Sequence, residues 1–242
     1  MDEPLRLWAY LSAHPLSGLT ATLIVYASAQ WLWRKSGQAA LLNPVLVSIL
    51  VLGGAILSMG VPYRAYFDGA QFIHVLLGPA TVALAVPLYR ALGAIRSAAA
   101  PILGSLLFGA IFATTLAIGL AALAGADQEV LASIAPKSVT TPVAMGISQK
   151  LGGLPALTAV VVVATGLVGG SLAGLVLDAA RVRDDRARGF AVGLCSHGIG
   201  AARAFTRSET AGAFASLAFA LNAAATAAFV PLIWLLMRPL IG

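Results

Sequence analysis

Long apolar runs, separated by short charged gaps, dominate this chain of 242 residues. Only 10% of the residues are charged and 60% are hydrophobic, whereas a soluble domain is about 25% charged. Runs of about 20 apolar residues are long enough to cross a bilayer as helices. Because the apolar residues are continuous and do not alternate with polar ones, the pattern favours an all-α integral membrane protein over a β-barrel.

The gaps between the runs are too short to hold a soluble domain. We therefore predict one membrane domain over residues 1–242, with an N-terminal helix in residues 1–34. The sequence contains eight hydrophobic segments, and we expect about seven or eight of them to form spanning, broken or re-entrant helices. These segments are residues 16–33, 43–61, 70–92, 101–124, 129–150, 154–178, 188–206 and 211–237.

The charges predict how the chain is oriented. Fifteen basic and nine acidic residues give a net charge of +6. Such an excess marks cytoplasmic loops beside anionic lipid, so we expect a multi-pass protein of the bacterial cytoplasmic membrane with no nucleic-acid partner. If all eight segments crossed, the arginine-rich gap 181–188 would lie outside. A re-entrant element between residues 129 and 150 returns this gap to the cytoplasm, and we expect one there.

Three segments, 70–92, 129–150 and 188–206, are interrupted by proline or glycine and carry polar groups. In lipid, backbone groups freed by such a break must be satisfied by protein or by a wet cavity. Broken helices therefore tend to line substrate sites. The residues expected to break helices are Asn43, Pro44, Gly78, Pro79, Pro136, Pro142, Gly198 and Gly200.

Two of the interrupted segments also resemble each other. Residues 79–86 and 136–143 share a proline, a hydroxyl residue and two valines at an offset of 57. A possible internal repeat follows from this match, in which Thr81 would face Ser138. Asn43 and Pro44 have a simpler interpretation, in which the asparagine caps a helix that the proline begins.

The stretch around Lys137 is the first candidate site. Lys137 is followed by Ser138, Thr140 and Thr141 within an otherwise apolar run. An ammonium at membrane depth is costly and normally has a partner or a wet cavity. A half-helix starting after Pro136 would add free N–H groups, which attract anions. These groups together suit a small carboxylate. In the alternative interpretation, the lysine reaches the membrane interface and the hydroxyls are ordinary helix caps.

A serine–lysine hydrolase is a rival interpretation of Lys137 and Ser138. Its base must lie within hydrogen-bond reach of the hydroxyl, but adjacent residues on a helix point in different directions. We therefore predict that the protein is not an enzyme, and we expect no cofactor because nucleotide-binding glycine patterns are missing.

Ser196 and His197 form the second candidate site, in a glycine-rich stretch. A histidine titrates near neutral pH and can donate to a carboxylate. The alternative is a histidine in a packing seam between helices. No metal-ligand spacing connects the scattered histidines with Cys195, so we expect no metal. The segments from 70 to 124 and from 130 to 177 contain no acidic residue, which fits an anionic substrate.

Together these motifs closely resemble those of the LrgB/CidB family of bacterial membrane proteins. The resemblance covers about residues 35–240, and residues 1–34 are its least diagnostic part. Gly198 departs from the family pattern, where an alanine is expected. The motifs that carry the resemblance are Asn43-Pro44, residues 78–89, residues 136–145, Gly152-Gly153, Thr158-Ala159, Thr165-Gly166 and residues 196–200.

The resemblance implies two different functions. The plant chloroplast relative, in which LrgA-like and LrgB-like parts are fused, resembles a glycolate/glycerate transporter, and bacterial relatives are linked to lactate and pyruvate. Other bacterial members are holin-like or antiholin-like partners of a small LrgA/CidA protein, and they control murein hydrolase export and lysis.

We favour a transporter of small monocarboxylates in which the first candidate site holds the carboxylate. Ser138 and Thr81 would then bind the substrate hydroxyl, and His197 would be a second donor or a proton carrier. The expected partners are the lipid bilayer, an LrgA/CidA-like protein and a second copy in a dimer.

Overall fold

The computed structural model describes residues 16–37, 39, 42–83 and 85–241. These residues are predominantly helical and include no β-strand, which confirms the predicted all-α class. The chain divides into two compact units, Met1–Ala83 and Leu84–Gly242. Both candidate stretches around Lys137 and His197 lie in the second unit.

In the N-terminal unit, the helix that begins at Pro44 has a capped start. The side chain of Asn43 accepts hydrogen bonds from the backbone N–H groups of Val45 (2.9 Å) and Leu46 (3.4 Å), so two otherwise unpaired donors of the first turn are satisfied. Helix α1 packs against α2 and α3. The helices of this unit are α1 (Ser17–Lys35), α2 (Pro44–Ser58), α3 (Tyr63–Ala70) and α4 (Phe72–Ala83).

The predicted break at Gly78 and Pro79 does not fall at these residues, because both lie inside α4. Pro136, the counterpart of Pro79 in the predicted repeat, lies instead in a turn. The two matched stretches therefore have different backbones at their shared proline, and the repeat at an offset of 57 between residues 79 and 136 is not confirmed.

The C-terminal unit contains the longest helices. Within the described residues, three helices (α7, α10 and α12 below) are long and apolar enough to cross a membrane. The predicted number of seven or eight membrane segments is therefore not confirmed. The helices of this unit are α5 (Ala85–Arg90), α6 (Leu92–Ser97), α7 (Ala99–Leu123), α8 (Gln128–Ile134), α9 (Thr141–Leu151), α10 (Pro155–Ala179), α11 (Asp185–Phe205) and α12 (Glu209–Ile241).

Helices α8 and α9 form a hairpin, called hairpin 1 (residues 128–151). They contain 7 and 11 residues, which makes them about 10 and 17 Å long, well short of the hydrocarbon thickness of about 30 Å. The hydroxyl of Ser133 accepts a hydrogen bond from the N–H of Leu154 (2.7 Å). Gln128 and Lys150 line one pocket. The segment therefore returns to the end of the unit at which it starts, which is the path that the predicted re-entrant element would take.

Helix α11 also doubles back, and we call it hairpin 2 (residues 185–205). Its backbone kinks at His197, which has φ 42° and ψ −136°, a left-handed conformation that is uncommon for a residue other than glycine. Asp185, at the start of the hairpin, accepts hydrogen bonds from Arg207 Nε (2.6 Å) and Ser208 Oγ (2.7 Å), just beyond its end. These contacts bring its two ends together.

The two hairpins enter this unit from opposite ends. Helix α12 begins at Glu209, beside the ends of hairpin 2, and the guanidinium of Arg238 near its end donates to the side-chain carbonyl of Gln128 (3.1 Å) at the start of hairpin 1. Helix α12 has 33 residues and is therefore about 50 Å long. The open ends of the hairpins lie at its two ends, so their tips point towards each other.

The order of a long helix followed by a hairpin occurs twice in this unit. Helices α7 and α10 each have 25 residues. Two residues after the end of each helix, the backbone has a positive φ (Gly125, 82°; Arg181, 57°). Asp127 and Asp184 then cap the starts of the two hairpins through their side chains. This order of elements does not coincide with the proline-based match between residues 79–86 and 136–143.

Glycines allow hairpin 2 to lie directly on α12. A Cβ atom added at Gly189 would collide with the backbone carbonyl of Ala211, and one added at Gly193 would collide with that of Ala215. Small residues permit such close backbone approach between helices in lipid. The first arm of hairpin 2 is thus fixed along α12, and the position of its tip follows from this packing.

Arg90 and the arginines of the gap 181–188 lie at one end of the unit, whereas Arg238 lies at the other end, beside Gln128. Arg90 forms a 3.0 Å ion pair with Glu209, which places it beside the open end of hairpin 2 and the gap 181–188. In that gap, a side-chain hydrogen bond from Arg186 lowers the pKa of Asp184 to about 2, so this capping carboxylate stays charged near neutral pH. An arginine-rich end is the expected cytoplasmic side.

We expect cysteines at both ends of hairpin 1 to react on the same side of the membrane. In a Cys195→Ser background, Glu129→Cys and Lys150→Cys should react with a membrane-impermeant maleimide in intact cells, because both positions are exposed at the end opposite the gap 181–188. Arg183→Cys should react only after permeabilisation. Labelling of the first two positions on opposite sides would contradict the hairpin.

Candidate functional site

The tip of hairpin 1 is the turn that contains Lys137. Helix α9 begins at Thr141, with Pro142 in its first turn, and therefore starts four residues later than the half-helix predicted directly after Pro136. The N–H of Ala144 makes the first bond of this helix, to the carbonyl of Thr140 (2.9 Å). The first turn of a helix has N–H groups without an intrahelical partner. Here these belong to Thr141 and Val143, since proline has none.

Polar side chains of this turn remain available. Lys137, Ser138, Thr140 and Thr141 are all half-buried. Thr140 holds the capping position, but its hydroxyl makes no capping bond. Among the described residues, Lys137 has no ion pair or side-chain hydrogen bond. The turn thus presents a cation and three hydroxyls.

The tip of hairpin 2 is anchored on α10 by His197, which is only 6% exposed. Its Nε2 lies 3.0 Å from the carbonyl oxygen of Val162, and because a carbonyl only accepts, Nε2 carries the proton. A Cβ atom added at Gly166 would lie 2.6 Å from the imidazole Cε1. The buried hydroxyl of Ser196 packs against Gly169 in the same way.

Asn222 joins the two tips in the middle of α12. Its amide nitrogen donates to the carbonyl of Ser138 in hairpin 1 (3.1 Å) and to the carbonyl of Leu194 in hairpin 2 (3.0 Å). The hydroxyl of Thr226 donates to its amide oxygen (3.3 Å). Asn222 is 1% exposed. The structure therefore brings together the two stretches that the sequence singled out separately.

Asn222 was not among the predicted site residues, although the sequence carries a signal for it. It is the amide side chain in the last apolar segment, which contains no charged residue between Glu209 and Arg238. A polar side chain at such a depth needs a partner inside the protein. Its two partners are backbone carbonyls on other segments, and no sequence pattern identifies them.

The remaining predicted residues are placed as follows. Thr81 lies in α4 of the N-terminal unit, and its side chain lies outside the described part, so its pairing with Ser138 stays a prediction. Gly198 is exposed, and Gly200 is buried close to the carbonyl of Val192. Within the described residues, no group of histidine, cysteine, aspartate and glutamate side chains could hold a metal ion.

These features define an all-helical membrane protein with two opposed hairpins. Residues 22–236 match the model of the LrgB-like family, and the chain belongs to this family. The resemblance seen in the motifs is thus confirmed.

Relatives of similar length support this assignment. Protein YxaC of Bacillus subtilis (strain 168) is 36% identical over 215 residues, covering 88% of this chain and 93% of the relative. A protein of Haemophilus influenzae (strain Rd) is 34% identical over 203 residues, covering 84% and 88%. The antiholin-like protein LrgB of Bacillus mycoides (strain KBAB4) is 31% identical over 229 residues, covering 94% and 97%. No solved structure matches the chain significantly.

Proposed function

We propose that this protein is a secondary transporter of small monocarboxylates of the glycolate, glycerate, lactate and pyruvate type. The observation that carries the proposal is the meeting of two opposed hairpin tips beside a half-buried lysine that has no partner among the described residues. Discontinuous helices whose ends meet inside a bundle are the usual setting of a transporter's substrate site. A protein that only binds a regulatory partner needs neither feature.

In this proposal, the tip of hairpin 1 binds the carboxylate. The Lys137 ammonium supplies the charge, and the N–H groups of Thr141 and Val143 supply directed donors at a helix start. The hydroxyls of Ser138 and Thr140 bind the hydroxyl or oxo group on the neighbouring carbon.

Hairpin 2 closes the proposed site from the other side. Ser196 is its proposed hydroxyl donor. The Nε2 proton of His197 is already donated to Val162, which leaves Nδ1 as the nitrogen that can exchange a proton with the substrate or with water. Because the hairpins enter from opposite ends, each can control the access of substrate to the site from its own side of the membrane. In this proposal the arginine-rich end faces the cytoplasm.

The second candidate is an antiholin-like role without a transported substrate. It is favoured by the name of the Bacillus mycoides relative, an antiholin-like protein. In this case the protein would regulate murein hydrolase export and lysis together with an LrgA-like partner. A dimer and an LrgA-like partner are compatible with both functions, so the presence of either does not decide between them.

Cys195, the only cysteine of the chain, offers a binding test. It is exposed, and its Sγ lies 3.2 Å from the hydroxyl of Ser196, a proposed ligand of the substrate. Saturating glycolate should slow the reaction of Cys195 with a small maleimide, whereas the neutral analogue ethylene glycol should not. Equal rates with and without glycolate would favour the regulatory role.

A further inference from the structure

We propose that Asn222 is a positioning residue that holds the two hairpin tips in register, so that the affinity of the substrate site depends on its amide. Asn222 need not touch the substrate to do this. The statement that the amide holds the two tips together rests on its hydrogen bonds. The statement that substrate affinity depends on it also rests on the proposed transport function.

The amide of Asn222 satisfies carbonyls that the helix breaks have freed. Leu194 lies in the last turn before the kink at His197, where carbonyls lose their intrahelical donors. Ser138 lies in the turn between α8 and α9, where the same holds. The side-chain amide of Asn222 donates one of its two hydrogens to each of these carbonyls. A carbonyl left unpaired in a water-poor interior is costly, so each hairpin tip is stabilised by this contact.

Only a side chain with two donors on one nitrogen makes this bridge from the middle of α12. An aspartate has the same shape but presents an oxygen acceptor, which would face two carbonyl oxygens. The Thr226 hydroxyl orients the amide by donating to its oxygen, so that the nitrogen faces the two tips. The chemistry of the contact, and not its size alone, therefore selects asparagine.

Joining the tips determines the distance between the two halves of the proposed site. Ser138 is adjacent to Lys137, and Leu194 is adjacent to Cys195. When the bridge is lost, the tips separate or rotate, and the ligands from hairpin 1 no longer face those from hairpin 2. Preorganised donors bind an anion more tightly than mobile ones. Loss of the bridge therefore lowers the substrate affinity while the protein still folds.

The test compares Asn222→Asp and Asn222→Ala with Ser216→Ala, measuring glycolate uptake in proteoliposomes, thermal unfolding and the rate of Cys195 labelling. Ser216 is a matched control, because it is equally buried in α12 but its hydroxyl bonds only within its own helix, to Gly212 (2.8 Å). We expect both Asn222 variants to raise the half-saturating glycolate concentration by about tenfold, with a smaller change in maximal rate. Labelling of Cys195 should become several-fold faster. Ser216→Ala should change none of these.

Two outcomes would overturn the inference. One is an unchanged half-saturating concentration in Asn222→Asp, and the other is an unchanged labelling rate of Cys195. If wild-type protein takes up no glycolate, the transport proposal fails, and the labelling rate alone decides whether Asn222 holds the tips. Should both Asn222 variants fail to fold, Thr226→Val is the substitute, since it keeps the amide but removes its orienting bond. Thr226→Val should also raise the half-saturating glycolate concentration and the rate of Cys195 labelling, but by less than the Asn222 variants. If both quantities are unchanged, the inference is rejected.

Discussion

Replacement of Lys137 by alanine is expected to abolish glycolate uptake while the protein still inserts and folds. The ammonium is the cation of the proposed carboxylate site, and a charge-assisted contact of this kind supports a loss of roughly 100-fold in uptake. Folding should not suffer, because the ammonium has no partner to lose among the described residues and because placing a charge at membrane depth is itself costly. Uptake into proteoliposomes and the unfolding midpoint measure the two effects.

Lys150 provides the matched control for Lys137. It lies in the same hairpin, near its end, and is exposed away from the tip. Lys150→Ala should therefore transport glycolate at close to the wild-type rate. Normal uptake by Lys137→Ala would eliminate the anion site. An equal loss in both variants would indicate a general effect of positive charge on hairpin 1 instead.

Gly166→Ala should have the second large effect, through the anchor of hairpin 2. The new methyl group would lie 2.6 Å from Cε1 and 2.7 Å from Nε2 of the His197 ring. The ring must then leave the carbonyl of Val162, and the overpacking costs about 1–3 kcal/mol of unfolding free energy. We expect a lower unfolding midpoint together with the loss of most glycolate uptake.

Gly174→Ala is the control for this substitution, since nothing lies within 4 Å of a Cβ atom added there. On the same helix α10, it should leave uptake unchanged and not lower the unfolding midpoint. The double variant Gly166→Ala with His197→Ala should recover much of the lost stability, because the smaller side chain removes the collision with the ring and the flexible end of the Ile199 side chain, 2.9 Å from the new methyl group, can move aside. If Gly166→Ala leaves uptake and the unfolding midpoint as Gly174→Ala does, the result contradicts the close packing of the His197 imidazole against α10.

Much of the C-terminal unit could be predicted from the sequence. Hydropathy located α7, α10 and α12, because a long apolar run in a membrane protein has few alternatives to a helix. The positions of the charges along the chain predicted a re-entrant element at 129–150, and in the structure this segment returns to the end of the unit at which it starts. The same reasoning did not reveal that residues 188–206 double back, since the kink at His197 arises from a backbone conformation that no residue type dictates.

Proline was a less accurate guide than charge. Pro79 lies inside α4, and Pro136 precedes the start of α9 by five residues. In both cases a proline marks a weak point of a helix, but packing decides where the helix ends. The role of Asn222 was missed for a related reason, because its partners are carbonyls from segments far apart in the sequence. Contacts of that kind follow from the meeting of two hairpins and not from local pattern.

The most direct test of a carboxylate carrier is the uptake of radiolabelled glycolate by purified protein in proteoliposomes, with and without an inward proton gradient. The measurement should be repeated with an LrgA-like partner, because both proposed functions include such a partner. We predict saturable uptake that competing lactate or pyruvate reduces and that Lys137→Ala abolishes. No uptake by folded protein, even with the partner present, would contradict the transport account and favour the antiholin-like role.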